Sequence, residues 1–441
     1  MIDFAPSREN QKSMWDLMEN LFPRYRSLCG PGFAESLAVL QKWLDLDVTE
    51  YPSNAKMGEW TIPNEFSVNE AWVEDETGKR HLDYQDHPYH LWIYSQPFEG
   101  MLSKEALMEK VMTLTDLPHA IPLRQTYYRD DWGFCGSVDE ISRMPDGPYK
   151  VKVDTVLKAG SLRIGEFYLP GESEQEILID SYLCHPRGAN DNLSGVVVAI
   201  ELFRLLAKLP RRRYSYRLAI WPETIGPITW LNSHPEKLKN LIGGFEVSIC
   251  GDSSPLTYNR SILANGITDR AVDHAVKHAG IDIEMKKYLG FFAGSNQSQF
   301  SMPGIKLPYG RITRTGPDFP QFKEYHSSAD NLDVVHPEHL LESLLMLWKI
   351  IEVLDRIEVW EPTYVGTPFL SGHGVFPYQH NAGQGQREAS AMAQTYYELM
   401  TLVNGEIDLL EIAENCDLPI VMFDEAVDKL SEVGLIKRKG R

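Results

Sequence analysis

Cysteine is scarce and scattered: Cys29, Cys135, Cys184, Cys250 and Cys416 are the only five in 441 residues, and no two form a CxxC pair. That argues against a disulfide framework and against a structural thiolate zinc site. A surplus of positive charge is missing as well. Against 43 Lys and Arg stand 62 Asp and Glu, a formal charge of −19. Phosphate backbones are gripped through Lys and Arg, so nucleic acid is not expected as the main partner. Nowhere do about 18 uninterrupted apolar residues occur, so no membrane span is expected. The first ten residues lack a basic segment followed by an apolar run, so no secretory signal is expected either. A reducing cytoplasm fits these absences. No low-complexity tract suggests a disordered arm.

What is present is an ordinary globular composition over a length that calls for two or three domains. Arg8 to Leu46 carries two helical patterns, around Met14, Leu17, Met18 and Leu21 and then Leu37 to Leu44. From Trp60 to about Ile164 the texture changes to short aromatic and β-branched runs, such as Ala71-Trp72-Val73 and His90 to Tyr94. Turn signals such as Asp75-Glu76-Thr77-Gly78 divide them, and one helix is expected near Lys104 to Thr113. Strand and helix then alternate. Ile177 to Leu183, Tyr214 to Trp221 and Phe245 to Cys250 read as buried strands, and Ile305 to Tyr309 as another. Leu193 to Leu209, wet only near Glu201, Arg204 and Lys208, reads as a helix, as do Ala271 to His278 and Glu338 to Leu354. Such alternation implies an α/β core covered on both faces. Pro362 to Gly385 has no periodicity and reads as a linker. Ala391 to Val403, Asp408 to Asn415 and Pro419 to Val433 follow as helices, and Leu435 to Arg438 as the arm of a terminal hairpin, a winged-helix pattern.

The most informative stretch is Cys184-His185-Pro186-Arg187-Gly188-Ala189-Asn190-Asp191-Asn192-Leu193-Ser194-Gly195, which follows a buried strand and opens a helix. Ligands of α/β sheets gather at that carboxyl edge. A neutral imidazole and a carboxylate there suit zinc, although Asp191 alone could equally cap the helix. Glu223, Asp252 and His326 each sit at a comparable strand or loop end. Four such ends, each offering a His or a carboxylate, are what a chain must supply to assemble a metal cage.

Ala189 to Gly195, Glu223-Thr224-Ile225-Gly226 and Tyr325-His326-Ser327-Ser328-Ala329-Asp330 resemble the signature stretches of co-catalytic zinc exopeptidases. That superfamily includes bacterial aminopeptidases, glutamate carboxypeptidase II and glutaminyl cyclases. The whole layout resembles more narrowly a group of bacterial aminopeptidase-like proteins with an inserted small domain and a C-terminal winged helix, often encoded beside surface-polysaccharide genes. The resemblance implies a zinc-exopeptidase-like mixed sheet covered by helices. Residues 1–58 and 160–370 would form a split catalytic domain, 59–159 a β-rich insert and 386–441 the winged helix. It also implies zinc as cofactor and an aminopeptidase-type hydrolase acting on a peptide or amide-containing substrate. His185 and Asp252 would hold one ion, Asp191 would bridge to a second, His326 would ligate that second ion, and Glu223 would be the general base. Two alternatives stand beside this reading. One is a non-catalytic binder on a degenerate core, the other an amide or acyl hydrolase acting on a sugar-linked substrate.

The chain departs from the family pattern at three places. Thr224 stands where a second Glu would ligate metal, so one ion is expected. Arg187 stands where an Asp would orient His185; Asp180 is a candidate replacement. Ser295-Asn296-Gln297 falls where acidic residues are expected. Among the remaining motifs, His87 and His90 are assigned to packing or a partner, and Cys184 and Cys250 to packing. Arg311 and Arg314 are assigned to ion pairs or a substrate clamp. The helix Pro419 to Val433 sets Asp424, Glu425, Asp428 and Glu432 against Lys429. Only the tip, Lys437, Arg438, Lys439 and Arg441, is basic. A protein contact or a homo-oligomer, rather than DNA, is therefore its expected use.

Overall fold

The segment Glu176–Tyr182, rich in Ile and Leu, is buried along its whole length, as a strand covered on both faces must be. In the computed structural model, which describes residues 6–280, 282–288, 295–314, 322–375 and 386–439, it is one of eight strands in a single mixed sheet. In chain order these are β1 (Asp47–Pro52), β2 (Ser161–Leu169), β3 (Glu176–Tyr182), β4 (Ser215–Trp221), β5 (Leu241–Val247), β6 (Leu256–Asn259), β7 (Glu284–Lys286) and β8 (Tyr309–Arg314). Across the sheet they run β1-β2-β4-β3-β5-β8-β6-β7. The centre, from β4 through β3 and β5 to β8, is parallel; β1 and β2 are antiparallel to their neighbours, and β6 runs antiparallel to β8 and parallel to β7. The expected α/β fold is found. The carboxyl ends of β3, β4 and β5 are therefore neighbours, although His185, Glu223 and Asp252 lie far apart in sequence.

Some boundaries moved for physical reasons. The helix expected from Leu193 begins at Gly195, after an irregular turn over Ala189–Ser194 that contains a cis Asp191–Asn192 bond. Glu201, expected to be wet, is buried: Asn10 Nδ2 donates to it at 2.7 Å, Ser13 Oγ at 3.0 Å and Arg204 Nη1 at 2.7 Å. The helix Arg8–Leu21 thus covers that face of Gly195–Leu206 and supplies polar partners where water was expected. The strand expected at Ile305 to Tyr309 runs instead from Tyr309 to Arg314. Within residues 59–159, a four-stranded antiparallel sheet runs in the order Arg80–His81, Glu65–Glu74, Tyr149–Lys158, Phe98–Leu102. The helix expected to Thr113 stops at Met108, because Val111–Met112 pairs with Phe134–Cys135. His90 to Tyr94 is not a strand. His87 caps a 3₁₀ turn over Pro88–His90, and only isolated bridges tie Leu91 to Phe134 and Ile93 to Gln125.

The chain divides into two compact units, Met1–Asp269 with Ile283–Leu347, and Arg270–Asp282 with Trp348–Arg441. The second unit contains the helices Gln386–Leu402, Leu409–Asn415 and Asp424–Glu432. Its strand Ile436–Arg438 pairs with Trp360–Pro362 rather than with a hairpin partner beside it. The expected linker thus opens on a strand, and its positions 376–385, like Arg441, lie outside the described residues. Arg270 holds Asp408 through two bonds of 2.8 and 2.9 Å, and Arg356 holds Asp424 at 2.8 Å. No helix of the described residues is long and apolar enough to cross a membrane.

Gly195 lets the helix start directly under β5. A Cβ there would lie 2.4 Å from Val247 O and 2.8 Å from Ser248 Cα, backbone that cannot step aside. Gly195→Ala is expected to destabilise by about 2 kcal/mol in urea unfolding. Gly304→Ala, which meets nothing within 4 Å, should change stability by less than about 0.5 kcal/mol. Equal effects at the two positions would refute the tight packing at Gly195.

Candidate metal centre

The turn after β3 is fastened side by side with the loop after β5. Asn190 Oδ1 accepts from Gly251 N–H at 2.9 Å, and its Nδ2 donates to Asp252 Oδ2 at 2.6 Å. Asn192 Oδ1 accepts from Ile249 N–H at 2.8 Å, while its Nδ2 donates to Ser181 Oγ at 2.9 Å and to Tyr182 O at 3.1 Å. Ser194 Oγ accepts from Cys250 N–H at 2.8 Å. Beneath the turn, the two oxygens of Asp330 accept the backbone N–H groups of Asn190 and Asp191, at 2.7 and 2.9 Å. Burial first, then the neighbouring Asp191 charge, push Asp330 up to about 8, against the donors that favour its ionised form.

Asp191 is thereby fixed with both oxygens committed in direction. Tyr182 Oη donates to its Oδ1 at 2.6 Å. Its Oδ2 lies 3.1 Å from His326 Nε2 and 3.7 Å from His185 Nε2. The 3.1 Å contact is not aligned as a hydrogen bond. Asp191 Oδ2 and His326 Nε2 are both buried and both lack a hydrogen-bond partner. Buried polar atoms are rarely left so. His185, Asp191 and His326 can each offer one donor atom within 4.8 Å of the others, a nitrogen–oxygen–nitrogen set that suits a divalent ion such as zinc. The residues fit the cofactor that the motifs imply.

Glu223 joins from the end of β4, its Oε2 3.8 Å from His185 Nε2. Ser295 Oγ donates to its other oxygen, Oε1. The next residue, Thr224, has φ +63°, a costly conformation for a β-branched side chain. Its N–H is taken by Asn296 Oδ1 at 2.9 Å, and Asn296 Nδ2 donates in turn to buried Asp180 at 2.6 Å. Ser295 and Asn296, placed by sequence where acids were expected, therefore grip the Glu223–Thr224 corner.

Of the five residues singled out by sequence, His185, Asp191 and His326 come together, and Glu223 joins them through His185. Asp252 stands outside both groups of candidate donors found among the described residues: Oδ2 accepts from Asn190, and Oδ1 accepts from Ser254 N–H at 2.6 Å. Asp180 does not orient His185, because Trp221 Nε1, Asn296 Nδ2 and Tyr309 Oη all donate to it. Cys184 Sγ lies 3.7 Å from His185 Nδ1. Cys184 was assigned to packing, yet its sulfur also accepts from Glu223 N–H at 3.3 Å, and it forms the second candidate group with His185 and Glu223. Arg311 bonds Ser248 Oγ and lies 3.5 Å from Glu246; Arg314 pairs with Glu342. Both serve structural pairs.

A family described as Domain of unknown function (DUF4910) matches residues 15–357. The chain belongs to the DUF4910 family. A Clostridium acetobutylicum protein, provisionally named a polysaccharide biosynthesis protein with an aminopeptidase-like domain, is 31% identical over 98% of this chain and 97% of its own. A crystal structure from the same organism, provisionally named a peptidase, superposes with a TM-score of 0.85 at 30% identity, covering 98% of this chain and 97% of that one. A zinc aminopeptidase from Bacillus subtilis shares the fold, with a TM-score of 0.58 at 15% identity over 78% of this chain and 94% of that one.

Sequence reading of this DUF4910 chain missed Tyr182 and gave Asp330 no role, although both were in view. Asp330 closes the His326 motif, and Tyr182 is one side-chain alternation before Cys184 on β3. Removing the hydroxyl in Tyr182→Phe is expected to weaken zinc affinity about tenfold or more, measured by chelator competition. An unchanged affinity would show that Asp191 needs no orienting partner.

Proposed function

We propose that this chain is a divalent-metal-dependent amide hydrolase of aminopeptidase type, with zinc as its ion. One observation carries the reading: Asp191 Oδ2 lies 3.1 Å from His326 Nε2 and 3.7 Å from His185 Nε2, three donor atoms converging on one point, with no aligned hydrogen bond at buried Asp191 Oδ2 or His326 Nε2. Those three atoms would hold the ion. Bound there, it would supply Lewis acidity to a carbonyl and make water more acidic.

The remaining work falls to side chains. Glu223 is the general base: with Oε1 occupied by the Ser295 hydroxyl, Oε2 is the atom that takes a proton from the attacking water and returns it to the leaving nitrogen. Tyr182 keeps Asp191 Oδ1 turned away, and Asn296 keeps the Thr224 corner closed. Thr224 brings no carboxylate, so a single ion is proposed. Asp252, engaged by Asn190 and Ser254, is given a positioning role in this scheme. The relative's name supports a sugar-linked amide, in polysaccharide assembly, as the substrate class.

Thr224 also supports a second reading, a non-catalytic binder that keeps the fold and has lost part of the centre. The C-terminal helices fit a winged-helix-like protein contact better than DNA: Asp424–Glu432 carries four acids and one lysine. A cytoplasmic setting is part of the same proposal.

Glu223→Gln is expected to lower kcat on aminoacyl amides or N-acyl amino sugars by about a thousandfold, with zinc per chain unchanged. Retained activity would remove Glu223 as the base. Metal-free purified protein that takes up no zinc and turns over neither substrate class would favour the binder.

A further inference from the structure

Beside His185 lies a seam where hydrogen-bond donors collect without acceptors. Arg187 follows Pro186 at φ +48°, an outlier of the kind that accumulates at functional sites. It is half-buried in a chain of charge −19, yet among the described residues its guanidinium makes no hydrogen bond and no ion pair. On the other side of Pro186, Arg26 is 1% exposed and donates through Nε to His185 O at 3.0 Å, while its Nη2 is buried without a partner. The Tyr25 hydroxyl is buried and unpartnered too, and the Tyr25 ring meets Tyr84 edge-on at 5.5 Å. The Tyr84 hydroxyl likewise has no partner among the described residues.

The turn Pro88–His90 closes the seam, because Tyr89 Oη donates to Pro186 O. His87 caps that turn: its Nδ1 accepts from Tyr89 N–H at 3.1 Å. Burial, and after it the Arg187 charge, push the His87 imidazole down to about 4. The ring is therefore neutral, with its proton on Nε2, and it offers one more unpaired N–H. Two acids act on these residues: Asp330 on Arg26, with its oxygens taken by the Asn190 and Asp191 N–H groups, and Glu140 on His87, with its Oε1 3.5 Å from His90 Nε2 and its Oε2 taken by Ser137.

Although Arg26 also donates to Leu21 O and Arg24 O, its Nη2, the Tyr25 and Tyr84 hydroxyls, His87 Nε2 and the Arg187 guanidinium have no acceptor among the described residues. We infer that Tyr25, Arg26, Tyr84, His87 and Arg187 line an anion subsite that receives a carboxylate or phosphate carried by the substrate. An acidic amide would enter with its scissile bond towards the His185 centre and its charge on Arg187, which can fork onto two oxygens. That the anion arrives on a substrate rests on the hydrolase reading; the binding site itself does not.

The test uses the full-length, metal-stripped protein and two probes, inorganic phosphate and glucuronate, titrated calorimetrically. One of them is expected to bind at millimolar concentration, and the tighter one identifies the group. Arg187→Gln should weaken it at least about tenfold. Tyr84→Phe, which removes only a hydroxyl and should fold even if the first variant does not, should weaken it about fivefold. Arg163→Gln, a surface arginine paired with Glu50 and Glu65, should leave binding unchanged. Failure of both probes to bind, or binding indifferent to Arg187 and Tyr84, overturns the subsite and leaves the hydrolase reading standing. Binding that persists in a chain unable to hydrolyse any amide would retain the subsite and fail the hydrolase.

Discussion

Asp330 accepts the amide hydrogens of Asn190 and Asp191, and that pair of bonds determines where the Asp191 carboxylate points. Hydrogen bonds from backbone N–H to a carboxyl oxygen contribute roughly 0.5–1.5 kcal/mol each, and together they help hold an irregular turn that helical propensity alone would not select. With the turn fixed, Asn190, Asn192 and Ser194 reach across to the loop after β5. Tyr182 closes over one carboxylate oxygen and leaves the other facing His326 and His185. Each contact presupposes the one beneath it. The fold supplies neighbouring strand ends, and the Asp330 fork turns that proximity into a directed donor atom.

The carboxylate–imidazole cluster is only half of the centre; the corner at Glu223 is the other half, and it is built differently. Thr224 carries a left-handed backbone without glycine's freedom, so something outside the corner must keep it there. Asn296 does this through the Thr224 N–H, and its own amide is steadied by buried Asp180, which also receives Trp221 and Tyr309. Position 224, where the resemblance would set a ligand carboxylate, is thus held by a polar support that runs from the sheet interior to Glu223.

How far the sequence foretold this depends on the kind of constraint. The mixed α/β sheet was legible because Glu176–Tyr182 and Ser215–Trp221 are short runs rich in apolar residues that alternate with helical patterns, as strands covered on both faces do. His185, Asp191 and His326 were legible because each ends a strand or opens a loop. Asp252 shared that position; each of its oxygens accepts one hydrogen bond, from Asn190 and from Ser254, contacts that one-dimensional spacing does not encode. The same holds for Asp180, whose side chain is claimed by three donors from β4, β8 and the Asn296 loop. His90 to Tyr94 has strand composition and forms none, because Pro88 and the His87 cap commit it to a turn. Glu201 looked solvated because its partners, Asn10 and Ser13, sit almost two hundred positions away.

The segment Ile121 to Leu123, from within the β-rich stretch, makes a bridge from Pro122 to Ser327. Leu123 N–H bonds His326 O at 2.8 Å, Ser328 N–H bonds Ile121 O at 2.8 Å, and Ser328 Oγ receives Ile121 N–H at 2.9 Å. His326 itself sits at φ +52°, a posture it would not keep unaided. The stretch that interrupts the α/β core therefore acts as a jig for one of that core's own side chains. Trimming it away would not leave the α/β core intact. It would release the imidazole, so the two parts must be transplanted together.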